Sequence, residues 1–120
     1  MMGQKYRDGK GVKQSDEMAK RLFEQAAQQG YVSAMYNLGV MYKKGLGVEQ
    51  SYEKAFEYYE QAADLGDADA QYNLGRMYAT GQGVLKNETT AHALWTLAAA
   101  QGDENSIEML PILEKNMKKS

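Results

Sequence analysis

The stretch YNLGVMYKKGLGV, Tyr36–Val48, returns 36 residues later as YNLGRMYATGQGV, Tyr72–Val84, and a worn copy, MGQKYRDGKGV, fills Met2–Val12 in the same columns. Glycines keep the register: Gly3, Gly39 and Gly75, then Gly9, Gly45 and Gly81, then Gly11, Gly47 and Gly83, and again Gly30, Gly66 and Gly102. Between the copies at 33–68 and 69–104, fifteen of the 36 positions are identical. A period of this length marks a stacked-repeat architecture, in which each unit is one supersecondary element that cannot bury its apolar face alone.

Each unit carries two helical patterns. Ala34, Leu38, Met41 and Tyr42 recur at helical spacing before the GLG stretch, and Tyr52, Ala55, Phe56, Tyr59, Ala62 and Ala63 do so after it. The next unit repeats the plan with Ala70, Leu74, Met77 and Tyr78, then Ala91, Leu94, Trp95, Ala98 and Ala99. The spacing therefore predicts helix, turn, helix in every unit. The column that opens the second helix holds Ser15, Ser51 and Asn87, all able to cap a first turn. Gly66 and Gly102 are placed to close that helix, and Asp67 and Asp103 to cap the next one. Glycine inside a helix costs about 1 kcal/mol relative to alanine, so Gly39 and Gly75 need a compensating reason, and close approach of a partner helix at Ala55 and Ala91 is the expected one. Tyr42, Tyr59, Tyr78 and Trp95 are expected to fill the wider space around that contact.

The ends depart from the unit. Met1 aligns with Asn37, which leaves the first helix about two turns, too short to be stable without packing. A helix is expected from Asp16 to Gln29. Residues 105–120 begin like another first helix, but Pro111 stands in the Gly39 and Gly75 column, where proline removes a hydrogen bond and clashes with the preceding turn. The expectation is a kink or break near Leu110, with Leu110, Ile112 and Leu113 still covering the last full unit as a cap. The domain plan is thus repeats over residues 1–104, with a partial unit at 1–32 and full units at 33–68 and 69–104, followed by a capping helix over 105–120.

Fourteen basic against sixteen acidic side chains give a formal net charge of -2, which removes the general attraction on which nucleic-acid and anionic-membrane binding rest. Neither nucleic acid nor a membrane span is expected. With no cysteine there is no disulfide or thiolate metal site, and the chain has no secretory leader pattern, so the cytoplasm is the favoured compartment. The glycine pairs of KKGLGV and ATGQGV lack the strand-to-helix setting and the G-K-[ST] of a phosphate loop, and are expected to be turns. His92 is the only histidine and has no second ligand at helical spacing beyond Glu88. No catalytic, metal or cofactor-binding residue is assigned. Asn87-Glu88-Thr89 fits a glycosylation acceptor but is better explained as a helix cap.

The columns A-x-x-x-L-G-x-M-Y-x-x-G-x-G-V, a capping residue, then K-A and A-A-x-x-G resemble the Sel-one-like repeat, a relative of the tetratricopeptide repeat with a longer loop between its helices. The resemblance covers Met1–Gly102. It implies an all-α, right-handed α/α superhelix of about three helix-turn-helix repeats, whose first helices line a concave groove. It also implies a non-catalytic scaffold or adaptor role, holding a protein or peptide segment. The pattern departs at the basic position before the second-helix alanine, Lys54 in one unit but Met18 and Thr90 in the others, and at the cap, where Ser15, Ser51 and Asn87 replace an aspartate. The cysteines of the disulfide-bridged branch of the family are absent.

On that implied groove the non-core positions are Gln4, Arg7 and Asp8, then Ser33, Tyr36, Asn37, Val40, Lys43 and Lys44, then Asp69, Tyr72, Asn73, Arg76 and Thr80, with Glu108, Met109 and Ile112 extending the face. Arg7, Lys43, Lys44 and Arg76 outnumber Asp8 and Asp69, which favours a partner bearing acidic groups. Asn37 and Asn73 occupy the position at which related tetratricopeptide domains hold a peptide backbone or terminal carboxylate; the competing expectation is a bond from this asparagine to a loop of the neighbouring unit. Tyr36 and Tyr72 stand apart from the core stripes as interface anchors. The solution state expected is a monomer or weak end-to-end association. The rival reading is an enzyme acting on a cell-wall or small-molecule substrate, using His92 or paired carboxylates in the groove.

Overall fold

The Ser51 hydroxyl accepts a hydrogen bond from the Lys54 N–H at 3.1 Å, and the Asn87 carbonyl oxygen accepts one from the Thr90 N–H at 3.0 Å. Asp67 and Asp103 do the same for Ala70 and Ser106, both at 2.8 Å. These four caps fix where helices start, and left-handed Gly45, Gly66, Gly81 and Gly102 fix where they stop. The computed structural model describes residues 10–119, with side chains from residue 15 onward. Among them lie α1 (Lys10–Gln28), α2 (Val32–Lys44), α3 (Tyr52–Asp64), α4 (Ala68–Thr80), α5 (Glu88–Ala100) and α6 (Glu104–Lys119), with no strand.

Each helix packs on the one before and the one after it. The result is an all-α superhelix of the tetratricopeptide kind, in which α2–α3 and α4–α5 form the repeated pairs. Its extents of 54 × 29 × 24 Å and radius of gyration of 16.2 Å, against about 14 Å for a compact chain of this length, describe an elongated stack. The extensive contacts are all between consecutive helices, as in any one-dimensional array. At the seams Ala55, Ala62, Ala91 and Ala98 are fully buried, their small side chains letting helices approach closely.

The central glycines have a more specific reason than close backbone approach. A Cβ on Gly39 would come within 2.7 Å of the Tyr59 ring, and one on Gly75 would overlap the Trp95 indole. Tyr59 and Trp95 share one column, so each pair is locked by an aromatic ring packed into the gap that glycine leaves. The other two aromatics do not share this role: Tyr42 stacks on Tyr58, and Tyr78 meets Phe56 edge-on.

Loop glycines join one unit to the next. Ser51 N–H bonds back to Tyr42 O at 2.9 Å and Asn87 N–H to Tyr78 O at 2.8 Å, closing each loop on its own first helix. Gly47 then rests on Asp16 and Gly83 on the backbone of Tyr52, where any Cβ would collide. Their φ values of 72° and 73° would also strain any other residue. The glycine pairs are therefore turns, as their sequence predicts.

Three expectations need correction. Ser15 is not a cap: α1 runs unbroken from Lys10, so the segment aligned with the loops of the later units is helical. In those units the loop form is propped by the preceding pair, through Gly47 on Asp16 and Gly83 on Tyr52. Pro111 does not break α6, which continues to Lys119. The residue faces solvent, and Ile107, whose carbonyl loses its usual donor, is 51% exposed and so open to water. Ile112 does not cover the last unit, being 54% exposed; Leu113 at 4% and half-buried Leu110 do so against Trp95 and Ala91. The shortened first helix, with Gln4, Arg7 and Asp8, lies outside the described residues.

Ser106 stands in the column of Ala34 and Ala70, fully buried, with no partner for its hydroxyl oxygen. A buried hydroxyl without a bond costs about 1 kcal/mol or more. Ser106→Ala is accordingly expected to raise the unfolding free energy by about 1 kcal/mol in urea denaturation, and a lower midpoint would count against the assignment.

Candidate functional site

Ser33, Tyr36, Asn37, Val40 and Lys44 fall three or four residues apart along α2, and Asp69, Tyr72, Asn73, Arg76 and Thr80 repeat that spacing along α4. Helical geometry places each set on a single stripe. The opposite stripes, Ala34, Leu38, Met41 and Tyr42 in α2 and Ala70, Leu74 and Met77 in α4, are buried. The expected residues of the two helices therefore share one first-helix face, and Arg7 lies outside the described residues.

On that face the amides are partly committed. Asn37 Nδ2 donates to Ser33 O at 2.7 Å and Asn73 Nδ2 to Asp69 O at 2.8 Å, each one turn back in its own helix. Neither reaches a neighbouring loop; instead Asn73 Nδ2 also meets the Tyr36 hydroxyl at 3.5 Å, linking α4 to α2. The carbonyl oxygens of both side chains accept no bond among the described residues, so each presents a free acceptor.

Tyr36 and Tyr72 are half-buried rather than freely exposed. Tyr36 tilts against Tyr59 with ring centroids 5.7 Å apart, and Tyr72 stacks on Trp95 at 6.0 Å. Trp95 Nε1 donates to Tyr72 O at 2.9 Å. Both tyrosines are thus held rigidly by the rings that lock the helix pairs, which lowers the entropy lost when one edge meets a partner. Val40 is half-buried beside them.

Charge on the face is sorted by position. Burial, then Asp67 and Asp103, push the Asp69 carboxyl above its usual range. Burial, then Arg76 and Lys44, hold the Lys43 ammonium below its usual range. Asp67, Asp69 and Asp103 thus gather in one group and Lys43, Lys44 and Arg76 in another, an arrangement that a count of basic against acidic residues does not reveal. The missed residues are Asp67 and Asp103, which sequence reading assigns to capping alone; their recurrence in the first-turn column is the signal.

The face is open. Cavities of about 340, 380 and 430 Å³ lie beside α1, α3 and the loops, lined by residues such as Lys20, Lys54, Glu24, Tyr58 and Glu49, and none of these three includes an expected contact residue. Lys54, in the family's basic column, sits 5.4 Å from the centre of the Tyr42 ring, a packing role that Met18 and Thr90 cannot repeat. His92 Nε2 bonds Glu114 Oε2 at 2.8 Å, tying α5 to α6. Among the described residues no group of acidic and histidine side chains could hold a metal, and no helix is long and apolar enough to cross a membrane.

The Sel1 repeat model matches residues 1–31, 32–67 and 68–103. No curated protein sequence matches the chain. Among solved structures, a Sel1 repeat protein from Oxalobacter formigenes is 31% identical, with a TM-score of 0.78 over 80% of this chain and 38% of its own. The protein c5321, a protective antigen present in uropathogenic Escherichia coli strains and displaying an SLR fold, is 36% identical, with a TM-score of 0.83 over 97% of this chain and 25% of its own. Helicobacter pylori cysteine rich protein B is 30% identical, with a TM-score of 0.72 over 76% of this chain and 68% of its own. The chain spans well under half the length of the first two. The three matched repeats, which take in most of the sequence, make it a member of the Sel1 repeat family. Proteins of this family are generally protein-interaction modules and non-catalytic scaffolds.

Proposed function

We propose that this chain is a non-catalytic adaptor whose first-helix face, the concave side of the superhelix, binds an extended peptide or protein segment. The carrying observation is the row across α2 and α4 of two rigidly seated tyrosines with two amide oxygens that accept no bond from the protein. An extended backbone supplies the N–H donors those oxygens lack, and its side chains meet the tyrosine edges.

Capture with immobilised chain, compared with the Asn37→Ala, Asn73→Ala double variant, tests the reading. Each asparagine side chain donates only to its own helix or to Tyr36, so the variant is expected to keep its fold by circular dichroism while losing about tenfold or more in affinity for a recovered partner. Unchanged affinity, with loss instead on substitution of Glu57 or Asp64 on α3, would place binding on the opposite face.

A further inference from the structure

We propose that the segment bound on the first-helix face carries basic and acidic side chains in alternation, the basic ones meeting one edge of the face and the acidic ones the other. The inference rests on the reading of the face given above and names the chemistry of its occupant.

Asn73 reaches Tyr36 while Arg76 bears on Lys43, so α2 and α4 lie side by side running the same way. One edge of the face therefore carries Asp67, Asp69 and Asp103, whose carboxyls crowd one another, and the other Lys43, Lys44 and Arg76. Among the described residues the ion pairs are Lys20–Glu24 and His92–Glu114, and none of these six side chains belongs to one.

Asp69 in the first turn of α4 and Lys43 and Lys44 in the last turn of α2 agree with the macrodipole, which favours acids at the N-terminus and bases at the C-terminus. Across helices the arrangement sets like charge beside like. The direction of the Asp69 and Lys43 shifts reflects burial first and then that crowding. Opposite charge brought by a ligand relieves both edges at once.

Asp69 and Arg76 are seven residues apart on α4, about 10 Å along its axis. An extended chain crossing the helices sends successive side chains to opposite sides, and those on one side repeat about every 7 Å. Alternation of charge in the ligand thus becomes separation of charge at the two edges. A uniformly acidic segment satisfies the basic edge and meets repulsion at the other, which refines the expectation of a merely acidic partner.

The test uses the full 120-residue chain and three labelled peptides of about eight residues, read by fluorescence anisotropy at low ionic strength. One alternates lysine and glutamate, the second has the same composition in two blocks, and the third is all glutamate. The alternating peptide is expected to bind at least about tenfold more tightly than either of the others, and the Lys43→Glu, Arg76→Glu variant to lose that preference while remaining helical. Block or all-glutamate peptide binding as tightly as the alternating one overturns the proposal but leaves the face as the site, provided binding still falls in the double asparagine variant. Absence of binding by all three, or binding indifferent to Asn37→Ala and Asn73→Ala, contradicts the face itself along with its occupant.

Discussion

Trp95→Ala is expected to lower the unfolding free energy by about 4 kcal/mol, a large share of the total for a chain of this size. The side chain is 2% exposed, its indole N–H donates to Tyr72 O, and its ring lies over Gly75, beside Tyr72 and against Leu113. Truncation empties the space between α4, α5 and α6 together and removes the indole N–H that the Tyr72 carbonyl accepts besides its helical bond. Because each helix packs mainly on its neighbours, the loss is expected to fall unevenly: amide protection in α5 and α6 drops further than in α2 and α3. Urea denaturation gives the magnitude and hydrogen exchange the location. A loss below about 1 kcal/mol would show that the ring does not lock the pair.

Gly75→Ala presents the other side of the same contact. Helix propensity alone predicts a gain of about 1 kcal/mol, yet the new methyl group overlaps the buried indole and is expected to cost about 2 kcal/mol net. The decisive feature is the change of sign. In the Trp95→Ala background the obstruction is gone, and Gly75→Ala is expected to become neutral or stabilising, giving a coupling of about 2–3 kcal/mol in the double-mutant cycle. Additive effects would mean that glycine is in the column for a reason other than the ring.

Much of the fold was legible because local and global signals agreed. Ser51, Asn87, Asp67 and Asp103 cap their helices, and the loop glycines adopt left-handed φ, since these roles depend on a few adjacent residues. Ser15 and Pro111 misled for one shared reason: the column rule was right, but its force depends on a neighbour. Ser15 lies within α1, in the segment where a loop would need a propping pair, and Pro111 has no ring lying on it and an exposed carbonyl beneath it. The aromatic lock over Gly39 and Gly75 was half visible, as glycine and large residue in fixed columns, but which ring meets which glycine is set by packing in three dimensions.

The candidate face followed the same division. Its membership on α2 and α4 came from helical spacing, whereas the sorting of its charges did not, because Asp67 and Asp103 come from the turns between helices and join Asp69 only once the units stack. The asparagines, for which the sequence offers either a peptide contact or a bond to a neighbouring loop, bond their own helices through nitrogen, leaving the oxygen as the available group.

Amide chemical-shift mapping with a captured partner segment tests the central claim most directly. The account predicts perturbations concentrated on α2 and α4 at Tyr36, Asn37, Val40, Tyr72, Asn73 and Arg76, with the outer residues of α3 and α5 undisturbed. Shifts confined to α3, α5 or the cavity beside Lys20 and Lys54, with the first-helix face silent, would contradict it.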